Sequence, residues 1–209
     1  MFGDGALTFR EFLMREPLPL ATIHDAVLEF LRGRKDAVLF GAQAVNAYVD
    51  ESRLTQDVDI LSPRAEALAE EVRDYLGTKF QIAVRVREVK EGLGYRVYQM
   101  RKPKNRHLVD VRSVEHVPPS QPIEEVQVLV PVELVCWKLA SMVSRLRTPK
   151  GASDLADIRR LLLAFPNLKE VGGEVSKRLL EVDAPATTLE AWRDLALQEI
   201  EPEDADQGF

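Results

Sequence analysis

Cysteine is almost absent from this sequence, which has a single one, Cys136, among 209 residues. One thiol cannot form an intramolecular disulfide, and it cannot supply the cysteine ligands of a structural zinc site. The three histidines, His24, His107 and His116, are not spaced as zinc ligands are. Cys136 lies in an apolar helical pattern, so we expect a buried thiol rather than a nucleophile.

Long apolar segments are also missing. The longest, such as VQVLVPVELVCW (126–137), contain polar residues and fall short of the about 20 apolar residues that cross a bilayer. The N-terminal sequence MFGDGALTFREFLMREPLP mixes acidic and basic residues where a signal peptide has a basic start and an apolar centre. We therefore expect a cytoplasmic protein without a membrane span.

The sequence has no excess of positive charge, since its formal net charge is -6 at pH 7. This balance argues against general nucleic-acid binding over the whole surface, but a local basic cluster is still compatible with it. One cluster is RKPKNRH (101–107), in which five of seven residues are basic. It either contacts an RNA acceptor such as a tRNA end, or forms a solvated hairpin tip whose charges prevent edge pairing.

The distribution of apolar residues predicts several short strands in the first half of the chain. Five segments have strand composition: DAVLFG (36–41), DVDIL (57–61), FQIAVRVREV (80–89), YRVYQMR (95–101) and RHLVDVRSV (106–114). The last two flank KPKN, which predicts a β-hairpin. A helix, AQAVNAYV, follows the first strand directly, so the order there is strand, tight turn, helix.

Helical periodicity is found on both sides of these strands. The pattern predicts helices over 22–31, from Pro63 to the glycine at 77, over 132–146, and after Ser153 as an N-cap. The proline-rich VPPSQP (117–122) is the best candidate for a boundary. We therefore expect an α/β core with N-terminal helices in 1–120 and a helical domain in 121–209.

Two aspartates, Asp57 and Asp59, lie one residue apart in a strand that should be buried. Residues i and i+2 of a strand point to the same side, so both carboxylates project together while Val58 and Ile60 face the core. Two ionised carboxylates repel each other unless a cation lies between them, and oxygen ligands suit Mg²⁺ or Mn²⁺. The alternative is a solvated strand edge with two exposed acids.

Three further features are compatible with a phosphate site. Gly41 lies at the strand-to-helix turn, where a backbone can approach a ligand closely and free amides can hold phosphate oxygens. Asp110 offers a third carboxylate on a later strand. A basic set follows: Lys138, Arg145, Arg147 and Lys150. Each has an ordinary alternative, because Gly41 can simply end a strand, Asp110 can pair with a hairpin arginine, and Lys138 and Arg145 can border an amphipathic helix.

The order of these residues resembles the nucleotidyltransferase superfamily of the DNA polymerase β type. The matching positions are Gly41-Ala42, then Arg53, Thr55, Asp57 and Asp59 in RLTQDVDI, then Asp110. The helical region WKLASMVSRLRTPKGASDLADIRRLL (137–162) is similar to that of AbiEii-like and related bacterial nucleotidyltransferases, at Lys138, Arg145, Lys150, Asp154 and Asp157. The resemblance implies an α+β fold, with a mixed-sheet nucleotidyltransferase core, flanking helices and a helical C-terminal region.

This resemblance also implies a reaction, the transfer of NMP from an NTP such as ATP to a hydroxyl of RNA, protein or a small molecule. Asp57, Asp59 and Asp110 would be the catalytic residues and would bind two Mg²⁺ or Mn²⁺ ions. The implied nucleotide-binding residues are Gly41, Ala42, Gln43, Arg53, Thr55, Lys138 and Arg145.

The AbiEii-like similarity further implies a toxin-type enzyme held inactive by an antitoxin protein. One position departs from the family, whose turn is usually Gly-Ser or Gly-Gly, because Ala42 has no hydroxyl to offer a phosphate. A catalytically silent nucleotide-binding or interaction module of the same fold is therefore the alternative function.

Overall fold

In the computed structural model of this chain, residues 18–50, 52–89 and 91–202 are described. Most of the N-terminal segment that argued against a signal peptide lies outside them. Seven α-helices occur in the described part: α1 (Leu20–Leu31), α2 (Gly41–Asn46), α3 (Ala65–Phe80), α4 (Pro131–Ser144), α5 (Pro149–Ala164), α6 (Glu174–Glu181) and α7 (Ala186–Leu197). None of these has the length and apolar character that a bilayer crossing requires.

The described strands form one mixed sheet of seven. They are β1 (Val38–Phe40), β2 (Val58–Ser62), β3 (Val84–Val89), β4 (Gly94–Gln99), β5 (Arg106–Ser113), β6 (Ser120–Ile123) and β7 (Val126–Leu129), in the order β3-β4-β5-β2-β1-β7-β6. The pairs β2/β5 and β1/β7 are parallel, and the other neighbours are antiparallel. The predicted α+β class with a mixed sheet is confirmed, as is the β4–β5 hairpin.

The chain divides into two compact units, and the first ends at Leu129. We expected helices after residue 120, but β6 and β7 form an antiparallel hairpin there, and β7 pairs with β1 through Leu39 and Val128. The boundary between the two units therefore lies directly before α4 and not in the proline-rich segment 117–122, because the β6–β7 hairpin belongs to the sheet of the first unit.

One face of the sheet is apolar and is covered by a helix. Val97, Val109 and Val111 are buried on β4 and β5, and Val58 and Ile60 continue this apolar face on β2. Helix α3 packs against β3, β4 and β5. Because successive side chains of a strand alternate between faces, the opposite face carries the polar residues of these strands.

Several predicted helix limits are wrong: α2 ends at Asn46 and not at residue 49, and α4 ends at Ser144 and not at residue 146. Helix α3 continues past the glycine at 77 to Phe80, and its last turn is followed by Gln81 in a left-handed conformation. Helix α5 begins at Pro149, one turn before the predicted cap, because proline suits the first helical position and the Thr148 hydroxyl accepts a hydrogen bond from Gly151 N. Ser153 is thus inside the helix, where its hydroxyl donates to the carbonyl of Pro149.

The single cysteine behaves as the sequence indicated. Cys136 lies on α4 and is buried. Burial raises the pKa of its thiol to about 12, so the thiol stays protonated at neutral pH. Burial and a raised pKa both argue against a nucleophilic role for Cys136.

Candidate functional site

Asp59 and Asp110 are direct neighbours in the sheet. They are in register on the parallel strands β2 and β5, so both side chains lie on the polar face. Arg96 on β4 is in register with Asp110 on its other side, and its Nε donates to Asp110 Oδ1 at 2.8 Å. The pairing of Asp110 with a hairpin arginine, which the sequence left open, is therefore present.

Asp57 lies just before β2, and His107 bridges it to Asp110. Nδ1 of His107 is 3.2 Å from Asp57 Oδ2, and Nε2 is 3.1 Å from Asp110 Oδ1. All three side chains are half-buried. The imidazole thus lies between two of the three predicted carboxylates.

This bridge shifts the pKa values of its members. Burial lowers the pKa of His107, but hydrogen bonds and the charges of Asp110 and Asp57 outweigh burial and raise it to about 9. Burial raises the pKa of Asp110, but the hydrogen bond and positive charge of His107, together with those of Arg96, hold this pKa below its usual range. At neutral pH an imidazolium therefore offsets the charge of two carboxylates.

The sequence indicated His107 only as one of the basic residues of 101–107 and not as a neighbour of Asp110, because residues three apart on a regular strand point to opposite faces. In the structure Val97 pairs with Val109, but the next residue, Tyr98, pairs with His107, so Leu108 is an extra residue in β5. This bulge brings His107 to the face of Asp110. The sequence signal that could have indicated the bulge is the pair of consecutive apolar residues Leu108 and Val109, both of which are buried in the structure.

The three side chains lie close enough together to hold a divalent cation once His107 has lost its proton. One ligand atom each from Asp57, His107 and Asp110 lies within 4.8 Å of the others, and Asp59 is in register with Asp110 on the neighbouring strand β2. Carboxylate oxygens suit Mg²⁺ and Mn²⁺, and imidazole nitrogen is a less typical ligand for these two ions. The donor set is therefore compatible with the predicted metal ions.

Gly41 touches Asp59 with its backbone. It begins α2 with a φ of +72°, and a Cβ added there would lie 2.0 Å from Asp59 Oδ2 and 2.7 Å from its Cγ. Only glycine fits this position, for reasons of both space and conformation. The structure thus brings the predicted turn glycine directly to the predicted metal ligand.

We expect Gly41→Ala to disrupt the site, because the new methyl group must displace the Asp59 carboxylate. Gly33 has the same φ of +72° but no atom within 4 Å of an added Cβ, so it is a matched control. Both changes should lower stability by about 1–2 kcal/mol through the left-handed backbone. Calorimetry should show metal-dependent NTP binding weakened more than about tenfold in Gly41→Ala alone. Equal binding in the two variants would contradict a role for this contact.

A buried asparagine fixes the loop that leads to Asp57. Asn46 Nδ2 donates to Gln43 Oε1 at 3.0 Å and to the carbonyl of Arg53 at 2.8 Å, and its Oδ1 accepts from Arg53 N at 3.1 Å. Thr55 follows in the same loop and is half-buried. Gln43 and Arg53, two predicted nucleotide-binding residues, are therefore held together by a residue that the sequence patterns did not single out.

Lys138 and Arg145 belong to the second compact unit, where they bind carboxylates. Lys138 Nζ lies 3.1 Å from Asp154 Oδ1 and 2.7 Å from Asp157 Oδ2, and Arg145 Nη2 lies 2.9 Å from Asp154 Oδ2. Lys138 is only 8% exposed, so its assignment to a solvated helix border is wrong. A phosphate contact by Lys138 stays a prediction, and it would require the ammonium to leave these two partners.

The bridge of His107 predicts a pH dependence of stability in metal-free protein. Its folded pKa of about 9 lies above the ordinary 6.5, so its contribution is complete below pH 6.5 and is lost as the pH rises to 9. We expect a loss of about 2–3 kcal/mol over this window, measured by urea unfolding in EDTA. His107→Gln should remove this loss, whereas a change at the exposed His116 should retain it. The same pH profile in all three proteins would contradict the bridge.

Comparison with protein-family models and with curated protein sequences finds no match. Solved structures do match. The Megavirus polyadenylate synthase has a TM-score of 0.57 at 18% identity over 76% of this chain, which spans only 34% of that protein. JHP933 from Helicobacter pylori has a TM-score of 0.50 at 14% identity, over 91% of this chain and 90% of that one.

A proposed nucleotidyltransferase from H. pylori gives a similar result, with a TM-score of 0.51 at 14% identity over 91% of this chain and 93% of that one. These likenesses show that the chain has the nucleotidyltransferase fold. The closer similarity to AbiEii-like proteins stays a prediction.

Proposed function

We propose that this protein is a metal-dependent nucleotidyltransferase that transfers NMP from an NTP to a hydroxyl acceptor and releases pyrophosphate. The observation that carries the proposal is the juxtaposition of Asp59 and Asp110, in register on adjacent strands, with the Gly41 backbone against Asp59. Side chains that meet in this way on a nucleotidyltransferase fold favour the reaction over a purely structural role.

Asp57, Asp59 and Asp110 would hold two divalent ions, Mg²⁺ or Mn²⁺. When bound, such ions supply Lewis-acid stabilisation of the attacking and leaving oxygens. The lowered pKa of Asp110 keeps this side chain ionised at neutral pH, so it can accept a hydrogen bond from the attacking hydroxyl.

The nucleotide would be bound by residues around the turn after β1. Backbone amides of Ala42 and Gln43 can donate to phosphate oxygens without the missing hydroxyl. Arg53 and Thr55 are presented by the loop that Asn46 fixes, and an arginine can contact two phosphate oxygens at once. The nucleotide-binding role of Lys138 and Arg145 stays a prediction, because both side chains bind aspartates of their own unit.

A catalytically silent nucleotide-binding module is the second candidate. It is favoured by Ala42 and by the two cations Arg96 and His107, which both bind Oδ1 of Asp110 and reduce the negative charge available to a metal. A toxin role, an antitoxin partner and a cytoplasmic location stay predictions.

Calorimetric titration of the full chain with each NTP, in EDTA and in Mn²⁺, tests the nucleotide site. We expect heat of binding for at least one NTP in Mn²⁺ and none in EDTA, because the carboxylates would repel a triphosphate without the ion. Absence of binding in Mn²⁺ for all four NTPs would contradict both the enzyme and the silent module.

A further inference from the structure

The polar face of the sheet continues beyond the candidate site as a basic surface. Along one row of paired residues, Asp110 is followed by Arg96 on β4 and Arg87 on β3. Along the next row, His107 is followed by Tyr98 on β4 and Arg85 on β3. Since paired residues share a face, arginines and one tyrosine extend from the site to the edge of the sheet.

These side chains are accessible, and the one acidic residue of β3 and β4 points to the other face. Arg85 and Arg87 are exposed. Glu88, which adjoins Arg87 on β3, pairs with Tyr95 and therefore lies on the opposite face. The positive charge of the edge strand is thus concentrated on the face that carries the site.

The connection between β4 and β5 adds further basic residues at one end of these strands. It runs from Met100 to Asn105 and is exposed throughout, with Arg101, Lys102 and Lys104 among its residues. The strand that leaves this connection reaches His107 within a few residues. We call the combined surface of Arg85, Arg87, Arg96, Tyr98, Lys102 and Lys104 the basic platform.

The basic platform is positively charged although the whole chain has a net charge of -6, so its positive charge is a local feature of this surface. Arginine guanidinium groups bind phosphates through paired hydrogen bonds, and lysines add charge without fixed geometry. The Tyr98 ring lies 5.2 Å from the His107 ring, centroid to centroid, and offers an aromatic surface beside the carboxylates. Phosphate-binding cations with an interspersed aromatic ring are typical of surfaces that bind single-stranded nucleic acid.

We propose that the acceptor is a single-stranded nucleic acid, bound along the basic platform with its terminal hydroxyl at the carboxylates. This inference rests on the proposed function. The hydroxyl oxygen forms a bond to the α-phosphorus of the NTP. The bond that breaks joins this phosphorus to the oxygen that bridges the α- and β-phosphates. The hydroxyl proton passes to Asp110 and then to solvent, pyrophosphate leaves with the bonding electron pair, and the strand gains one nucleotide.

Fluorescence anisotropy with labelled oligonucleotides of about 20 nucleotides tests the binding. The probes are single-stranded RNA, DNA of the same sequence, and the RNA duplex. The variants are R85E/R87E and K102E/K104E, with R32E/K35E as control, because Arg32 and Lys35 are exposed and lie outside β3–β5. Calorimetric NTP binding in Mn²⁺ is measured on every protein.

We expect both platform variants to bind single-stranded RNA about tenfold or more weakly, with the control unchanged and NTP binding retained. The salt dependence of log Kd should fall by about 0.7 for each lost phosphate contact. The affinities for the RNA and DNA probes show whether the surface prefers ribose or deoxyribose. The inference would be overturned if wild type and both platform variants bound single-stranded RNA equally well, or if wild type bound the duplex as tightly as the single strand. Polyglutamate is added as an acidic competitor, and its complete displacement of the RNA would overturn the inference in favour of an acidic protein partner.

The two proposals can fail separately. A wild-type protein that binds NTP in Mn²⁺ but no oligonucleotide contradicts the nucleic-acid acceptor and leaves the nucleotidyltransferase function standing. A protein that binds the oligonucleotide but no NTP under any condition contradicts the proposed function, and the nucleic-acid acceptor with it.

Discussion

Asp59→Asn should weaken metal-dependent NTP binding more than about a hundredfold, because even residues behind the direct ligands of a metal typically contribute ten- to a hundredfold. The amide keeps the shape of the side chain but removes one of the charges that hold the cation. Asp57→Asn should have a similar effect on binding. Both variants can be compared with wild type by calorimetric titration of NTP in Mn²⁺.

The fold should survive these substitutions. Asp59→Asn removes a charge next to Asp110 and so reduces repulsion in metal-free protein, which should leave its unfolding temperature unchanged or raised. Asp194→Asn on the exposed side of α7 makes the same charge change away from the sheet and should bind NTP as wild type does. NTP binding of normal strength in both Asp57→Asn and Asp59→Asn would remove the basis for a metal site at these carboxylates.

Lys138→Met should destabilise the protein by about 3–5 kcal/mol, which is the usual cost of removing one partner from a buried ion pair. Asp157 is fully buried and Asp154 is 4% exposed, so neither carboxylate can turn to water when the ammonium is lost. Arg145 and Arg160 remain near them, at 2.9 Å and 3.4 Å, and compensate in part. Urea unfolding at neutral pH measures the change.

Lys177→Met is the matched control, because Lys177 is exposed on α6 in the same unit and its loss should change stability by less than about 0.5 kcal/mol. If Lys138→Met were as stable as this control but bound NTP weakly, the contact with the aspartates would be secondary and the phosphate role of Lys138 would be favoured. Loss of stability with normal NTP binding would assign Lys138 to the ion cluster.

The sheet strands that carry Asp59 and Asp110 could be predicted from the sequence, since alternation of apolar residues determines which side chains share a face. The sequence also indicated that Gly41 matters, although not that its backbone touches Asp59. Two facts depend on pairing between distant segments, namely the register of β2 with β5 and the addition of β7 beside β1. No local pattern contains them.

His107 and Lys138 show the two other limits of sequence reasoning. The place of His107 depends on a bulge, which moves a residue to the other face without a change in composition. The place of Lys138 depends on the packing of α4 against α5, which turns the apparent border of an amphipathic helix into a buried ion cluster. In both cases the sequence indicated a basic side chain, but only the fold shows which carboxylates this side chain binds.

The most direct test of the central claim is transfer of label from each α-labelled NTP to total RNA, to a single-stranded oligonucleotide and to protein. We predict transfer that requires Mg²⁺ or Mn²⁺, is specific for at least one NTP, and is lost in Asp59→Asn while Asp194→Asn retains it. Transfer in EDTA, or equal transfer by Asp59→Asn and wild type, would contradict the carboxylate site. Metal-dependent NTP binding without transfer to any acceptor would contradict the enzyme and support the silent module.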